Sequence, residues 1–195
     1  MSLPQRRPAT YEDLFALPDH QVGEILNGTL HASPRPASRH ALVASTLGMD
    51  LGGPFNRGRG GPGGWWILDE PELHLGGDVL VPDLAGWKRE RMPVFPDVAH
   101  FNLAPDWICE ILSPSTAKLD RQFKMPVYAR EDVAHAWLID PSVKLLEVYE
   151  LRRADWVLRG VYGDDQVIEA PPFDAVPLDL WPLWGEPRPA SDSEE

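Results

Sequence analysis

The feature that most constrains the fold is a glutamate inside an apolar segment. Residues 107–112 are Trp-Ile-Cys-Glu-Ile-Leu, so Glu110 carries the only charge in this stretch. A segment that is apolar on both faces is typical of an interior strand of a sheet. Alternate residues of a strand share a face, which places Glu110 beside Ile108 and Leu112. Because burying a lone carboxylate is costly, a buried Glu110 normally needs a partner or a cation.

Two further acids stand next to apolar stretches. Glu24 precedes Ile-Leu in the first apolar segment, and Asp83 follows Val-Leu-Val-Pro at 79–82. Mg²⁺ takes oxygen ligands and is often held by one or two carboxylates, so acids on adjacent strands suit it. Each acid alone also fits an ordinary role: Asp83 in a turn, or Glu110 on a solvated face or paired with an arginine. The three together favour a metal site.

A polar face is predicted on the helix that follows Glu110. Asp120, Lys124 and Tyr128 are four residues apart and share one face, and the opposite face is apolar. Asp120 and Lys124 could form a surface pair contributing about 0.3–0.5 kcal/mol. Alternatively, Lys124 leans toward the sheet carboxylates and neutralises charge on a phosphate. Pro126 is expected to kink the helix just after Lys124. The predicted apolar face consists of Leu119, Phe123 and Val127.

The order of apolar patterns predicts an α/β (α+β mixed) fold on a central mixed sheet. A short helix capped by Thr10 and a hairpin turning at Asn27-Gly28 come first. A helix from Ser38 to Leu51 follows, and the glycine-rich residues 52–64 are expected to form a mobile loop. Strands are predicted at 65–75, 78–87, 106–112, 135–140, 143–151, 156–162 and 167–168.

Composition is that of an ordinary globular protein. The 195 residues suffice for one domain, expected at 1–185 with an acidic, flexible tail at 186–195. No apolar run approaches the roughly 20 residues that a bilayer span needs, so no membrane partner is expected. A single cysteine, Cys109, excludes an internal disulfide and a Cys/His zinc cluster, and a cytoplasmic location is the expectation.

The net charge of −12 limits how the chain could contact nucleic acid. Such a chain repels polyanions over most of its surface, so binding requires a local basic patch or a metal ion. Residues 35–59 hold four arginines and one acid, Asp50, and form either a phosphate-contacting rim or a solvated surface. The arginines are Arg35, Arg39, Arg57 and Arg59.

Eight tryptophans are more than a small core readily buries. Several lie beyond residue 150, and we expect the C-terminal strands or the Trp-Pro-Leu-Trp segment at 181–184 to form a homodimer contact. The tryptophans concerned are Trp156, Trp181 and Trp184.

The motifs together resemble a known family over roughly residues 10–151. They are Glu-Ile-Leu-Asn-Gly at 24–28, Pro-Asp-Leu at 82–84, Glu-Ile-Leu-Ser-Pro-Ser-Thr at 110–116, and Ala-Trp-Leu-Ile-Asp-Pro at 136–141. His40, Asp120, Lys124 and Tyr128 lie between these blocks. Their order resembles the Uma-two family of putative restriction endonucleases, which belongs to the PD-(D/E)xK nuclease superfamily.

This resemblance implies a restriction-endonuclease-like core, a central mixed β-sheet flanked by helices, with added β-strands. It implies that Glu24, Asp83 and Glu110 surround Mg²⁺, with Mn²⁺ as a substitute. The superfamily lysine follows its acid by two residues, whereas this chain has Leu112 there, so the resemblance suggests that Lys124 supplies the amine. It also raises the chance that His40 lines the cleft rather than serving the core.

The expected activity is therefore a metal-dependent endonuclease acting on nucleic acid, with DNA as the expected substrate. Two alternatives stay open. A non-catalytic nucleic-acid or protein-interaction module could keep the fold, which the acidic balance and displaced lysine favour. A metal hydrolase of small phosphoesters would need no basic groove.

Overall fold

The computed structural model describes residues 7–188, which form many strands and few helices. The helical segments are α1 (Tyr11–Leu14), α2 (Ser38–Leu51) with a π turn (Gly52–Asn56), α3 (Ala117–Leu119) with a π turn (Asp120–Lys124), α4 (Met125–Arg130) and a 3-10 turn (Trp181–Trp184). The strands are β1 (Gln21–Leu26), β2 (Thr29–Pro34), β3 (Trp65–Asp69), β4 (Leu73–Leu75), β5 (Asp78–Leu80), β6 (Leu84–Lys88), β7 (Trp107–Ile111), β8 (His135–Asp140), β9 (Leu145–Arg152), β10 (Asp155–Gly163), β11 (Val167–Ile168) and β12 (Leu178–Asp179).

Two larger sheets organise the chain, with a small pair formed by β11 and β12. The six-stranded sheet has the order β10-β9-β8-β7-β6-β3 and is mixed, because β7 and β8 are parallel while the other neighbours are antiparallel. The four-stranded sheet has the order β2-β1-β5-β4 and is antiparallel. The mixed α+β class expected from the sequence is confirmed.

The central strand β7 contributes to both halves of the core. Trp107, Cys109 and Ile111 face the cluster that contains α2 and the C-terminal segment. Ile108 belongs to the opposite cluster, which holds apolar residues of the four-stranded sheet and α4. Alternation along β7 therefore turns Glu110 toward the space between the two sheets and α4.

The chain changes sheets twice where the sequence predicted uninterrupted strands. The segment 65–75 is broken after β3, where Glu70 adopts a left-handed conformation (φ 43°) before Pro71. The segment 78–87 is broken at Val81–Asp83, where Pro82 cannot donate to a ladder. The amide of Glu70 donates to the carbonyl of Asp83 (3.1 Å), which joins the two breaks at one corner.

Residues 52–56 are not the mobile loop expected from their glycines. They form a π turn that continues α2, and Phe55 within it is buried. Its ring packs against Phe173 with centroids 4.7 Å apart. Aromatic packing therefore orders a segment whose composition predicted mobility.

The C-terminal part of the domain packs onto the core. Trp184 is buried within this chain, so its burial needs no partner. Trp181 donates from Nε1 to the carbonyl of Glu186, and Lys144 pairs with the Glu186 carboxylate (2.6 Å). These contacts join Glu186 to the domain, and residues 189–195 of the expected tail lie outside the described residues. No helix within 7–188 is long and apolar enough to cross a membrane.

Candidate active site

A cleft of about 250 Å³ lies at the corner where the chain passes between the two larger sheets. Five acidic and three basic side chains line it, together with the loop after β7. The acids are Glu24, Glu70, Asp83, Glu110 and Asp120, and the basic side chains are Lys124, His40 and Arg35.

Lys124 lies among the acids. Its Nζ is 2.8 Å from both carboxylate oxygens of Glu110 and 3.1 Å from Oε1 of Glu24. It also lies 3.6 Å from Oδ1 of Asp120 and donates to the carbonyl of Val81 (3.2 Å). The ammonium is therefore directed into the cleft and is not confined to a surface pair with Asp120.

The backbone orients two of the acids. The amide of Val81, at the break before Asp83, donates to Oε1 of Glu24 (2.8 Å). The amide of Ile111 donates to Oδ2 of Asp83 (2.6 Å). Since Leu84 pairs with Cys109 in the antiparallel ladder of β6 and β7, Asp83 lies opposite Glu110. Register therefore brings these two acids to the same end of neighbouring strands.

The helix after β7 is buried on the face that the sequence predicted to be polar. Asp120, Lys124 and Tyr128 are each at most 3% exposed, and the hydroxyl of Tyr128 donates to Oε1 of Glu110 (2.6 Å). Of the predicted apolar face, Val127 is buried and Leu119 packs against the core, whereas Phe123 is exposed. The π turn over 120–124 rotates the side chains relative to a regular α-helix.

Pro126 does not break the helical segment. It falls in the first turn of α4, immediately after the π turn, where a missing N–H costs no hydrogen bond within that helix. The expected kink is thus replaced by a π turn that ends at Lys124 itself. Such turns recur at functional sites because they displace one side chain from its regular position.

Burial and crowding shift the pKa values in the cleft. Burial raises the pKa of Glu110 well above its usual value, against the opposing ammonium of Lys124. Burial likewise raises the pKa of Asp120 to about 6. Burial disfavours the charged form of Lys124, but the carboxylates of Glu110 and Glu24 outweigh it and raise its pKa well above normal. A site with more acids than cations thus favours retention of a proton.

His40 extends from α2 to the mouth of the cleft. Its Nε2 lies 3.1 Å from Oδ1 of Asp83, and its Nδ1 is buried without a hydrogen-bond partner among residues 7–188. Burial lowers the pKa of His40, but the hydrogen bond and charge of Asp83 outweigh it, so the pKa is raised overall. The histidine therefore belongs to the cleft and holds one oxygen of Asp83.

Glu70 is a cleft residue that the sequence reasoning missed. It follows β3 directly, and the negative charge of its carboxylate helps to raise the pKa of His40. The signal was the Asp-Glu-Pro sequence at 69–71, since a proline inside a predicted strand marks a break. The arginines of the expected basic rim are divided, because Arg35 lines this cleft whereas Arg57 and Arg59 line a second depression beside α2.

The donor chemistry of the cleft fits a hard divalent cation. Its acids offer carboxylate oxygens, the ligands that Mg²⁺ and Mn²⁺ prefer. Glu24, Asp83 and Glu110 do not form a ready-made triad, since Lys124 is interposed between Glu24 and Glu110. Within the described chain, one group of three side chains has all its ligand atoms within 4.8 Å of one another: Glu72, His74 and His100. That group lies outside the cleft.

Comparison with known proteins identifies similar chains. The family model Uma2, described as "Putative restriction endonuclease", matches residues 9–180. A solved structure described as a "putative nuclease belonging to DUF820" from Anabaena variabilis ATCC 29413 has a similar fold, with a TM-score of 0.72. It is 23% identical, and the match covers 91% of this chain and 98% of the other. Among curated proteins, none matches this chain.

Proposed function

Since the chain belongs to the Uma2 family of putative restriction endonucleases, we propose that it is a metal-dependent endonuclease that hydrolyses phosphodiester bonds of DNA. One observation carries this proposal: Lys124 places its ammonium 2.8 Å from Glu110 at the base of an acidic cleft. The amine that Leu112 cannot provide is thus available from the next helix. A purely structural module has no need to bury an ammonium among three carboxylates.

We propose Mg²⁺, with Mn²⁺ as a substitute, as the cation of this cleft. Asp83 and Glu110 would hold it directly, and Glu24 would complete the site through water. The bound ion would lower the pKa of a water molecule and neutralise charge on the phosphate. The carboxylate-rich lining supports a hard cation over one that prefers sulfur or imidazole.

The protein's own groups orient the site and supply charge. Tyr128 and the amide of Ile111 orient the carboxylates of Glu110 and Asp83 by hydrogen bonds. Lys124 compensates negative charge that develops on the scissile phosphate and orients the attacking water. His40 holds Asp83 from the opposite side and adds positive charge when protonated.

Substrate binding requires a local attraction, since the chain as a whole carries a charge of −12. Arg35 lines the cleft beside the acids and can contact a backbone phosphate. Binding through so few cations should weaken steeply with salt. We therefore propose that DNA cleavage is fastest at low ionic strength.

We also propose that the protein acts in the cytoplasm, where the lone thiol of Cys109 stays reduced.

We also propose that two copies associate through β10. This strand is an edge of the six-stranded sheet, and it exposes Val157, Leu158 and Val161. An apolar edge with free backbone groups can pair with a second copy of itself. Sedimentation should show a dimer at micromolar concentration that Leu158→Asp dissociates, and a strictly monomeric wild type would contradict it.

The decisive test is nicking of supercoiled plasmid by the purified chain. We expect nicking with Mg²⁺ or Mn²⁺, none with EDTA, and at least a roughly tenfold loss in Asp83→Asn and Lys124→Met. Lys118→Met is the matched control, because Lys118 is exposed on the same helical segment and should retain full activity.

The outcome also separates the alternative functions. Binding of DNA without Mg²⁺-dependent nicking would indicate a non-catalytic module. Hydrolysis of a small phosphodiester that duplex DNA does not inhibit at low salt would indicate a small-molecule hydrolase. Nicking that persists in Asp83→Asn would show that the activity is not from this cleft.

A further inference from the structure

Away from the cleft, two histidines and a glutamate converge at the edge of the four-stranded sheet. Glu72 directly precedes β4, His74 lies within it, and alternate residues of an extended chain share a face. His100 comes from the long connection 89–106 between β6 and β7. These three residues do not line the active-site cleft.

Backbone pairing holds the two segments in register. Leu73 and Phe101 form an isolated parallel bridge. The amide of Phe101 donates to the backbone carbonyl of Glu72, and the amide of His74 donates to the backbone carbonyl of Phe101, both at 2.9 Å. Leu73 is fully buried and Phe101 packs against the same core, so both point inward. The residues on either side of this bridge therefore point together to the opposite face.

The three side chains have the spacing of a metal site. Their candidate ligand atoms all lie within 4.8 Å of one another, and Nε2 of His74 is 2.8 Å from Oε1 of Glu72. The two imidazoles stack with centroids 3.7 Å apart at 9°. Side-chain exposures of 22% for His74 and 30% for Glu72 leave the group accessible yet partly shielded.

A fourth residue supports the glutamate. The hydroxyl of Tyr11, from α1, donates to Oε1 of Glu72 (2.8 Å), and its ring lies edge-on to His74 at 4.8 Å. Metal-binding carboxylates are commonly oriented by such a hydrogen bond from a neighbouring group. The arrangement also links α1 to β4 and to the 89–106 connection.

From this convergence we propose that Glu72, His74 and His100 bind a divalent transition-metal ion, with Zn²⁺ as the best fit. Two imidazoles and one carboxylate are donors of intermediate hardness, which suit Zn²⁺. In a four-coordinate site, three protein ligands leave one position for water. The cleft, with its carboxylate oxygens, instead suits Mg²⁺. The two sites therefore differ in the cation that their ligands favour: Zn²⁺ at the histidines and Mg²⁺ in the cleft.

Binding requires one local movement. A ring nitrogen directs its lone pair within the ring plane, so two parallel stacked rings cannot both point at one ion. One imidazole must rotate about its Cβ–Cγ bond, which breaks the stacking between His74 and His100. The bound ion would then fasten the 89–106 connection to β4 and stabilise the folded chain by mass action.

The test is metal binding by the untagged full chain after EDTA treatment and its removal. Titration with CoCl₂ should give the visible absorption of a four-coordinate site at one equivalent, and ZnCl₂ should displace it stoichiometrically. Thermal denaturation with ZnCl₂ should show a raised Tm. His100→Gln should lower the Zn²⁺ affinity at least tenfold while its circular dichroism stays that of the wild type.

Two controls make the outcome specific. His20→Ala removes an exposed histidine outside the group and should bind Zn²⁺ as the wild type does. Asp83→Asn alters the cleft alone and should also bind, so this proposal and the nuclease proposal can fail separately. Equal Zn²⁺ affinity in wild type and in folded His100→Gln, or no Zn²⁺ binding by the wild type, would overturn the proposal.

Discussion

Replacing Lys124 with methionine tests how the acidic cluster is held together. The substitution keeps the apolar stem and removes an ammonium that contacts Glu110 at 2.8 Å, Glu24 at 3.1 Å and Asp120 at 3.6 Å. All four residues are buried, so water cannot compensate for the lost charge. The variant would leave three carboxylates facing one another in the fold.

The expected cost follows from these distances. At an effective dielectric constant of about 20, unit charges 3–4 Å apart attract by about 4–6 kcal/mol. Desolvation of the ammonium offsets part of this attraction, and removing one partner of a buried pair typically costs about 3–5 kcal/mol. We therefore expect the free energy of unfolding of Lys124→Met to fall by about 3–5 kcal/mol at pH 8.

The loss should depend on pH in a defined direction. The pKa values of Glu110 and Asp120 are already raised in the fold and should rise further without the ammonium. Groups with raised folded pKa values bind protons more tightly when folded, so stability is lost as pH rises through those values. The cost of Lys124→Met should therefore be smaller at pH 5 than at pH 8.

Urea unfolding followed by tryptophan fluorescence, in EDTA at both pH values, provides the measurement. Lys118→Met is the matched control and should stay within about 0.5 kcal/mol of wild type, because Lys118 is exposed. A Lys124→Met protein as stable as wild type at pH 8, or equally destabilised at pH 5 and pH 8, would refute the reasoning.

Further substitutions probe the same cleft. Asp120→Asn should raise the free energy of unfolding at pH 8 by up to roughly 3 kcal/mol, because the pKa of Asp120 is about 6 in the fold against the usual 3.8, so its ionised form destabilises the folded state. In urea titrations this gain should vanish below about pH 4, where Asp120 is protonated in both states. Tyr128→Phe should cost about 1.5–3 kcal/mol, since Glu110 loses a charged hydrogen bond; equal urea midpoints would contradict this. His40 should titrate above pH 6.5 by proton NMR and fall back in Asp83→Asn. Protonated His40 stabilises the fold below pH 6.5, and this stabilisation is lost as pH rises through the raised pKa of His40. His40→Gln should abolish this pH dependence of the free energy of unfolding.

Local patterns in the sequence accounted for much of the fold. Strand β8 occupies the predicted residues 135–140, and α2 ends at Leu51 as its periodicity indicated. The apolar run around Glu110 identified an interior strand with the correct facing, because side-chain alternation is a property of the strand alone. The awkward burial of Glu110 was visible for the same reason.

Tertiary structure decided where each strand ends and which groups meet. Proline and a left-handed residue break two apolar segments, but only the packing of two sheets sends their halves to different partners. That switch creates the corner where Glu70 and Asp83 join the cleft, and no local periodicity encodes it. The buried face of residues 120–128 likewise depended on the π turn over Asp120–Lys124, which the spacing of the sequence did not predict.

The difference has one physical cause. Alternation, helical spacing and turn chemistry act over a few residues, so the sequence by itself determined the element types and singled out Glu24, Glu110 and Lys124 as chemically unusual. Contacts between residues 14 to 100 positions apart form only when sheets stack and a helix docks, since each such contact must offset the entropy of closing its loop. The ammonium among the acids, and the pairing of His74 with His100, therefore exist only in the folded chain.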